Sequence, residues 1–168
     1  MRPLLMSALL GMLAAVCAGP AAASHTGLLF GAPARVNVEM GEWFFKPAKI
    51  TVKAGVAVDI VLENKGSISH TFMVYPKPPT PPKGAPHWYE YVLRTTYFQD
   101  TGEILVHRRG EFVVSATRIA EVAVEPGKKV TLTFTPTRKG TFEIGCQLST
   151  GGGGSHAQAG MVGTLIVK

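Results

Sequence analysis

The chain has 168 residues, of which 17 are basic and 11 acidic, so its formal net charge is +6 with histidine neutral. This moderate charge fits a solvated basic surface, and it leaves open weak association with an anionic membrane surface or an acidic protein. No basic run is interleaved with stacking aromatic residues, which argues against nucleic acid as a partner.

The first 23 residues have the form of a secretory signal, with a basic start at Arg2 and an apolar stretch from Leu4 to Cys17. The stretch is shorter than the roughly 20 residues that span a bilayer. We therefore expect residues 1–23 to be cleaved from a periplasmic or secreted protein, with lipidation at Cys17 as an alternative. Cleavage removes one basic residue, which lowers the net charge from +6 to +5 and leaves 145 residues, enough for a single domain.

Short strands separated by turns account for most of the remaining chain. Residues 24–34 are expected to form a flexible N-terminus, and the domain extends over 35–168. Apolar residues alternate with polar ones in several segments, which is the period of half-buried strands. These segments are 36–40, 50–52, 56–62, 122–124, 130–134, 142–144 and 162–167. The pattern predicts an all-β fold with two antiparallel sheets, and no segment shows a clear helical period.

Residues 76–119 interrupt this strand pattern. Six prolines between Pro76 and Pro86 exclude a central strand and favour extended polyproline-type backbone. The aromatic residues that follow, from Trp88 to Phe98, are too numerous for a disordered linker. We interpret the segment as an ordered insertion that packs on the sandwich and adds a hairpin through Ile104 to Val114. An aromatic surface that docks a partner is the alternative.

Cleavage of the signal leaves one cysteine, Cys146, which therefore has no internal disulfide partner. The thiol is then inert in the core, paired with another molecule, or a working thiolate. Cys146 ends an apolar strand, His156 and Met161 follow in a glycine-rich loop, and His70 begins another strand. A thiolate, imidazoles and a thioether form the soft, mixed ligand set that selects copper in a trigonal site with a weak axial sulfur. The remaining histidines are interpreted as solvated or structural.

Several segments resemble the cupredoxins, the blue copper family that includes plastocyanin, azurin and rusticyanin. The resemblance covers about residues 35–75 and 120–168. Its motifs are Glu42-Trp43-Phe44-Phe45-Lys46-Pro47, Asn64-Lys65-Gly66 with His70-Thr71-Phe72, residues 140–146 ending in Gly145-Cys146, and residues 156–163 from His156 to Gly163.

This resemblance implies a Greek-key two-sheet sandwich that holds one copper ion, which cycles between Cu(I) and Cu(II). It implies His70, Cys146 and His156 as the equatorial ligands. Met161 would be the axial ligand. Thr71 matches the family position whose residue ties the two ligand loops together near the thiolate. Met73, on the strand face opposite His70, is expected in the core.

The chain departs from the family between Cys146 and His156, where nine residues intervene. Gly151 to Gly154 read like a flexible linker, although doubling such a loop costs only about 0.6 kcal/mol in closure entropy. We therefore expect copper binding to persist with a mobile His156 arm.

Three classes of function remain after this comparison. An electron carrier is favoured, with redox proteins such as a cytochrome or terminal oxidase as partners and a monomeric state. Copper storage, or delivery to a copper-dependent oxidase, is the alternative. An enzyme is disfavoured, because multicopper oxidases and nitrite reductases need further histidine-rich copper sites and larger chains.

Overall fold

The computed structural model describes residues 32–108 and 111–168, and within them the chain forms two β-sheets and a short helix. The predicted signal segment and residues 24–31 lie outside the described residues. The elements in chain order are β1 Ala34–Gly41, β2 Phe44–Lys46, β3 Lys49–Val52, β4 Val58–Asn64, β5 His70–Tyr75, α1 Ala85–Thr95, β6 Ile104–Arg108, β7 Glu111–Ala116, β8 Val122–Val124, β9 Lys129–Phe134, β10 Gly140–Gly145 and β11 Val162–Val167.

The first sheet has the strand order β2-β1-β4-β9-β6-β7, and the second has the order β3-β11-β10-β5-β8. Most neighbours are antiparallel, but β1 pairs with β4 and β3 pairs with β11 in parallel. The expectation of purely antiparallel sheets is therefore wrong at these two pairs. Between β1 and β4 the chain crosses to the second sheet as β3, so β4 re-enters the first sheet in the direction of β1.

The main core lies between the two sheets and confirms the alternation that predicts the strands. The inward side chains of both sheets are at most 8% exposed, and each aliphatic side chain so buried stabilises the fold by about 1.5–3 kcal/mol. These side chains include Val38, Ile60, Leu132 and Phe134 from the first sheet and Ile50, Phe72, Ile144 and Leu165 from the second.

The insertion contains the helix α1, which the sequence analysis did not predict. Pro86 lies in its first turn, where proline removes no helical hydrogen bond. Val92 packs on Met73 and Tyr75, which point to the outer face of β5, with Trp88 and Tyr91 alongside. This contact explains why all six residues of β5 are buried.

The rest of the insertion completes the sandwich. Tyr97 and Phe98 enter the main core, where the Tyr97 ring centroid lies 4.6 Å from that of Phe142 and the Phe98 centroid lies 5.2 Å from that of Phe134. The predicted hairpin is present as β6 and β7, and β6 pairs with β9. The packing interpretation of residues 76–119 is thus confirmed. No helix in the described ranges is both long and apolar enough to cross a bilayer.

Candidate metal centre

Three predicted ligand side chains meet at one end of the sandwich. His70 is the first residue of β5, Cys146 directly follows β10, and His156 lies in the loop that leads to β11. Strands β5 and β10 are hydrogen-bonded neighbours, which brings His70 beside Cys146. The Nδ1 atoms of the two histidines are 3.2 Å apart, and Cys146 Sγ is 3.3 Å from His156 Nδ1. One ligand atom from each residue lies within 4.8 Å of the others.

This cluster fits a single copper ion. Ligand atoms that share one metal through bonds of about 2.0–2.3 Å stand roughly 3.3–4 Å apart, close to the distances seen here. His70 and Cys146 have no exposed surface and His156 is 3% exposed. A buried set of one thiol and two imidazole nitrogens that face each other is a soft, mixed donor set of the kind copper prefers.

Thr71 contacts the sulfur in two ways. Its backbone N–H donates to Cys146 Sγ at 3.2 Å, and its hydroxyl lies 3.4 Å from the same atom. The prediction that Thr71 ties the two loops together beside the thiolate is confirmed. Such donors stabilise negative charge on sulfur and fix the direction of the side chain.

The loop from Cys146 to His156 is closed by backbone hydrogen bonds. The N–H of His156 donates to Leu148 O at 2.9 Å, and the N–H of Ala157 donates to Cys146 O at 2.7 Å. Further out, Ser149 and Ser155 form an antiparallel bridge. The backbone of His156 is therefore held directly beside the strand that ends at Cys146.

The glycines form a lobe beyond this bridge, where the sequence analysis expected a flexible linker. The N–H of Thr150 donates to Gly154 O at 3.0 Å, which closes the lobe. Gly151 and Gly153 adopt φ values of 84° and 86°, in the left-handed region that favours glycine. Composition alone indicates flexibility, whereas the turn inside this lobe needs glycine for its backbone geometry.

Met161 is tied by its backbone to two of the clustered residues. Its N–H donates to His156 O at 2.9 Å, and its carbonyl accepts from Cys146 N–H at 3.3 Å. Its side chain has no exposed surface and belongs to the main core. Its axial role stays a prediction.

Asn64 organises the loop before His70, although the sequence analysis gave it only a turn signal. The fully buried amide donates to Ile68 O and to Val124 O, both at 2.8 Å, and its Oδ1 accepts from Gly66 N–H at 2.8 Å. A buried asparagine directly before a turn and a histidine is a signal that could have found this role.

Trp43 covers the cluster and was also missed. Its ring centroid lies 4.5 Å from that of His156 and 6.3 Å from that of His70. The side chain is half-buried, so it stands between the imidazoles and solvent. The motif that begins at Glu42 carries the family resemblance, but the sequence alone does not show which of its side chains face the site.

Glu42, the residue before Trp43, places a carboxylate near His70. Its Oε1 accepts from Ser67 N–H at 2.7 Å and from Ile68 N–H at 3.2 Å, and it lies 3.8 Å from His70 Nε2. Hydrogen bonds from its own backbone N–H and from that of Ser67 lower the pKa of Glu42 to about 2. The carboxylate is therefore ionised at neutral pH.

Burial lowers the pKa of both histidines. For His70 the nearby Glu42 charge opposes this effect of burial on the pKa, whereas for His156 the charge of His70 lowers the pKa further. Both shifts favour the neutral imidazole, which is the form that binds a metal.

The other candidate residues stay outside the cluster. Met73 is 1% exposed on the outer face of β5, as predicted. His87 is exposed on α1 and His107 lies on β6, and neither joins the metal-ligand cluster found in the described part of the chain. His25 lies outside the described residues.

Solved structures with a similar fold are copper proteins by their names. Auracyanin B is 19% identical with a TM-score of 0.51, and the match covers 82% of this chain and 91% of that one. Auracyanin A from Chloroflexus aurantiacus is 18% identical with a TM-score of 0.51, over 82% and 100% of the two chains. The multicopper oxidase of Campylobacter jejuni is 16% identical with a TM-score of 0.52, but the match covers only 31% of that chain and 82% of this one. At these identities the likeness shows the fold alone.

The sandwich and the buried His-Cys-His cluster at its end define the class of the cupredoxins. No family model matches the chain. The copper-resistant cuproprotein CopI of Pseudomonas aeruginosa is 30% identical over 165 residues, which cover 84% of each protein. The chain belongs to the family of this cuproprotein.

Proposed function

We propose that this protein is an exported mononuclear copper protein that carries single electrons between redox partners. His70, Cys146 and His156 would hold the ion, and Met161 would be a weak axial ligand. The observation that carries the proposal is the convergence of the two Nδ1 atoms and Sγ at 3.2 and 3.3 Å in a buried cluster. Bound copper would supply the one-electron couple between Cu(I) and Cu(II).

The surrounding residues limit rearrangement of the site. Thr71 directs two donors at the sulfur, and the bond from His156 N–H to Leu148 O fixes the second histidine beside it. Asn64 holds the loop that leads to the first histidine. Ligands fixed in this way suit an ion that changes valence without changing its surroundings, which favours electron transfer.

Copper storage or delivery is the second candidate, supported by two observations. The CopI relative is named as a copper-resistant protein, which suggests a role in copper tolerance. In addition, the half-buried side chain of Trp43 covers the imidazoles, and its displacement would expose them. We propose no enzymatic reaction for this site, because its imidazoles are buried and covered and leave little access for a substrate.

The proposal includes a location and partners. The form of residues 1–23 supports export to the periplasm or beyond. The partners would be redox proteins, such as a cytochrome or a terminal oxidase.

Repeated redox cycling separates the carrier from the delivery protein. The copper-loaded exported protein is oxidised and reduced through many cycles with a Cu(I) chelator or an apo-acceptor present, and bound copper is measured after each cycle. A carrier retains its copper through all cycles. Stoichiometric transfer of Cu(I) to the acceptor would instead support delivery and contradict the proposed function. Cys146→Ser, which removes the thiolate, serves as the control for copper bound elsewhere.

A further inference from the structure

The outer nitrogen of His70 lies beside a fixed carboxylate. Neutral imidazole carries one N–H, so a histidine that ligates through Nδ1 must carry its proton on Nε2. His70 Nε2 is buried and has no hydrogen-bond partner within bonding distance among the described residues. Glu42 Oε1 lies 3.8 Å from it, which a shift of about 1 Å or less would shorten to a hydrogen bond.

The position of this carboxylate is determined by the surrounding loop. Glu42 Oε1 accepts hydrogen bonds from Ser67 N–H at 2.7 Å, Ser67 Oγ at 3.2 Å and Ile68 N–H at 3.2 Å. These donors lie in the turn that precedes His70. The same oxygen that anchors this turn therefore faces the imidazole.

Gly66 provides an independent observation. A Cβ atom at this position would stand 2.5 Å from Glu42 Oε2 and 2.6 Å from Oε1, closer than such contacts occur. The carboxylate thus fills space that is left only because residue 66 is glycine. The chain reserves a defined place for this side chain beside the metal centre.

We propose that Glu42 is a positioning residue of the copper centre: it accepts the proton-bearing Nε2 of His70, fixes Nδ1 as the ligand atom, and favours Cu(II) over Cu(I) through its negative charge. This inference rests on the proposed function, because it assigns the residue a role at that same site. Carboxylates that hold the outer nitrogen of a metal-binding histidine typically change metal affinity by about 10–100-fold when removed.

Glu42→Gln separates this role from simple anchoring of the turn. Glutamine retains an oxygen that accepts from Ser67 and Ile68, but it loses the charge. Glu63→Gln is the matched control, because Glu63 is an equally exposed carboxylate that pairs with Lys65 and Lys129: the side chains of Glu42 and Glu63 are 34% and 30% exposed. Both variants change the net charge by the same amount.

The first measurement is the reduction potential of the copper-loaded variants. We expect Glu42→Gln to lower the preference for Cu(II) by about tenfold, which corresponds to a rise of about 59 mV for a one-electron couple. The Glu63→Gln protein should keep the wild-type potential within a small fraction of that rise. An unchanged potential in Glu42→Gln, or an equal rise in both variants, overturns the electrostatic role.

The second measurement uses the copper-free protein, so that its result does not depend on electron transfer. Nitrogen-15 NMR at about pH 8, above the ordinary histidine pKa, reports which ring nitrogen carries the proton. We expect His70 to be protonated on Nε2 in the wild type. Gly66→Ala, which displaces the carboxylate but keeps its charge, should reduce this preference.

Gly152→Ala is the control for Gly66→Ala, because no atom lies within 4 Å of the added methyl group. It should leave the His70 tautomer unchanged. A His70 tautomer that is the same in wild type, Glu42→Gln and Gly66→Ala overturns the positioning role. If instead the tautomer responds as expected but wild-type copper shows no reversible couple, the proposed electron carrier fails and the Glu42 contact stands.

Discussion

Alanine substitutions in the glycine lobe test whether the loop between Cys146 and His156 is ordered. Gly151 and Gly153 have φ values of 84° and 86°, whereas Gly152 has no such constraint and open space around its Cα. An alanine in the left-handed region costs about 1–2 kcal/mol. An alanine at a compatible position stabilises a protein by about 0.4–1 kcal/mol, because it reduces the entropy of the unfolded chain.

The expected results therefore have opposite signs. Gly152→Ala should raise the unfolding free energy by about 0.5 kcal/mol. Gly151→Ala and Gly153→Ala should each lower it by roughly 0.5–1.5 kcal/mol, the strain less the entropic gain. For a domain of this size, 1 kcal/mol corresponds to a Tm shift of about 2–4 °C, so the variants should separate in a calorimetric scan.

Calorimetry of the copper-free protein measures these shifts, and the visible spectrum of the copper-loaded protein checks the site in each variant. The spectrum should stay unchanged, since the lobe lies beyond the bridge between Ser149 and Ser155. Three small stabilisations of equal size would refute the reasoning. They would show that the glycines behave as a flexible linker in solution.

Three further predictions concern the centre and its cover. Met161→Gln should retain copper and lower the potential, because the axial sulfur tunes the potential more than it holds the metal; loss of copper by metal analysis would contradict this. Trp43→Leu should speed removal of Cu(I) by a chelator, since it uncovers His156, whereas Trp88→Leu on the helix should not; equal rates in both variants would count against a cover. The copper-free protein should lose stability as pH falls below about 6.5, because burial lowers the pKa of His70 and His156 in the fold and the unfolded chain then binds more protons. Urea unfolding at about pH 7.5 and 5.5 measures this loss, and a stability that is flat between them would contradict it. Glu42, with its pKa near 2, would weaken the fold only at more acidic pH.

The strands were predictable because their inward side chains alternate along the sequence. Strand β11 was expected at residues 162–167 and lies at Val162–Val167. Its parallel partner β3 could not be foreseen, because alternation shows which face is buried and not which strand lies alongside. The helix α1 was missed since its prolines exclude strands, yet Pro86 and the spacing of Trp88, Tyr91 and Val92 are also typical of a helix.

The clustered side chains were predictable for a different reason, because their chemistry is unusual in combination. A thiolate, imidazoles and a thioether in this order indicate copper whatever the loop between them does. Glu42 and Trp43 carry no such chemical signature, and only the turn between β1 and β2 brings them over the histidines. The glycine lobe was misjudged because its composition does not reveal the hydrogen bonds at its base.

The spectrum of the copper-loaded protein tests the central claim, that Cys146 and the two histidines bind one copper ion. Visible absorption and electron paramagnetic resonance report the metal, its bond to sulfur and its geometry together. The wild type should show one copper per chain and an intense charge-transfer band from thiolate to Cu(II), and Cys146→Ser should abolish that band. A band that persists in Cys146→Ser, or copper bound without any thiolate band in the wild type, would contradict the account.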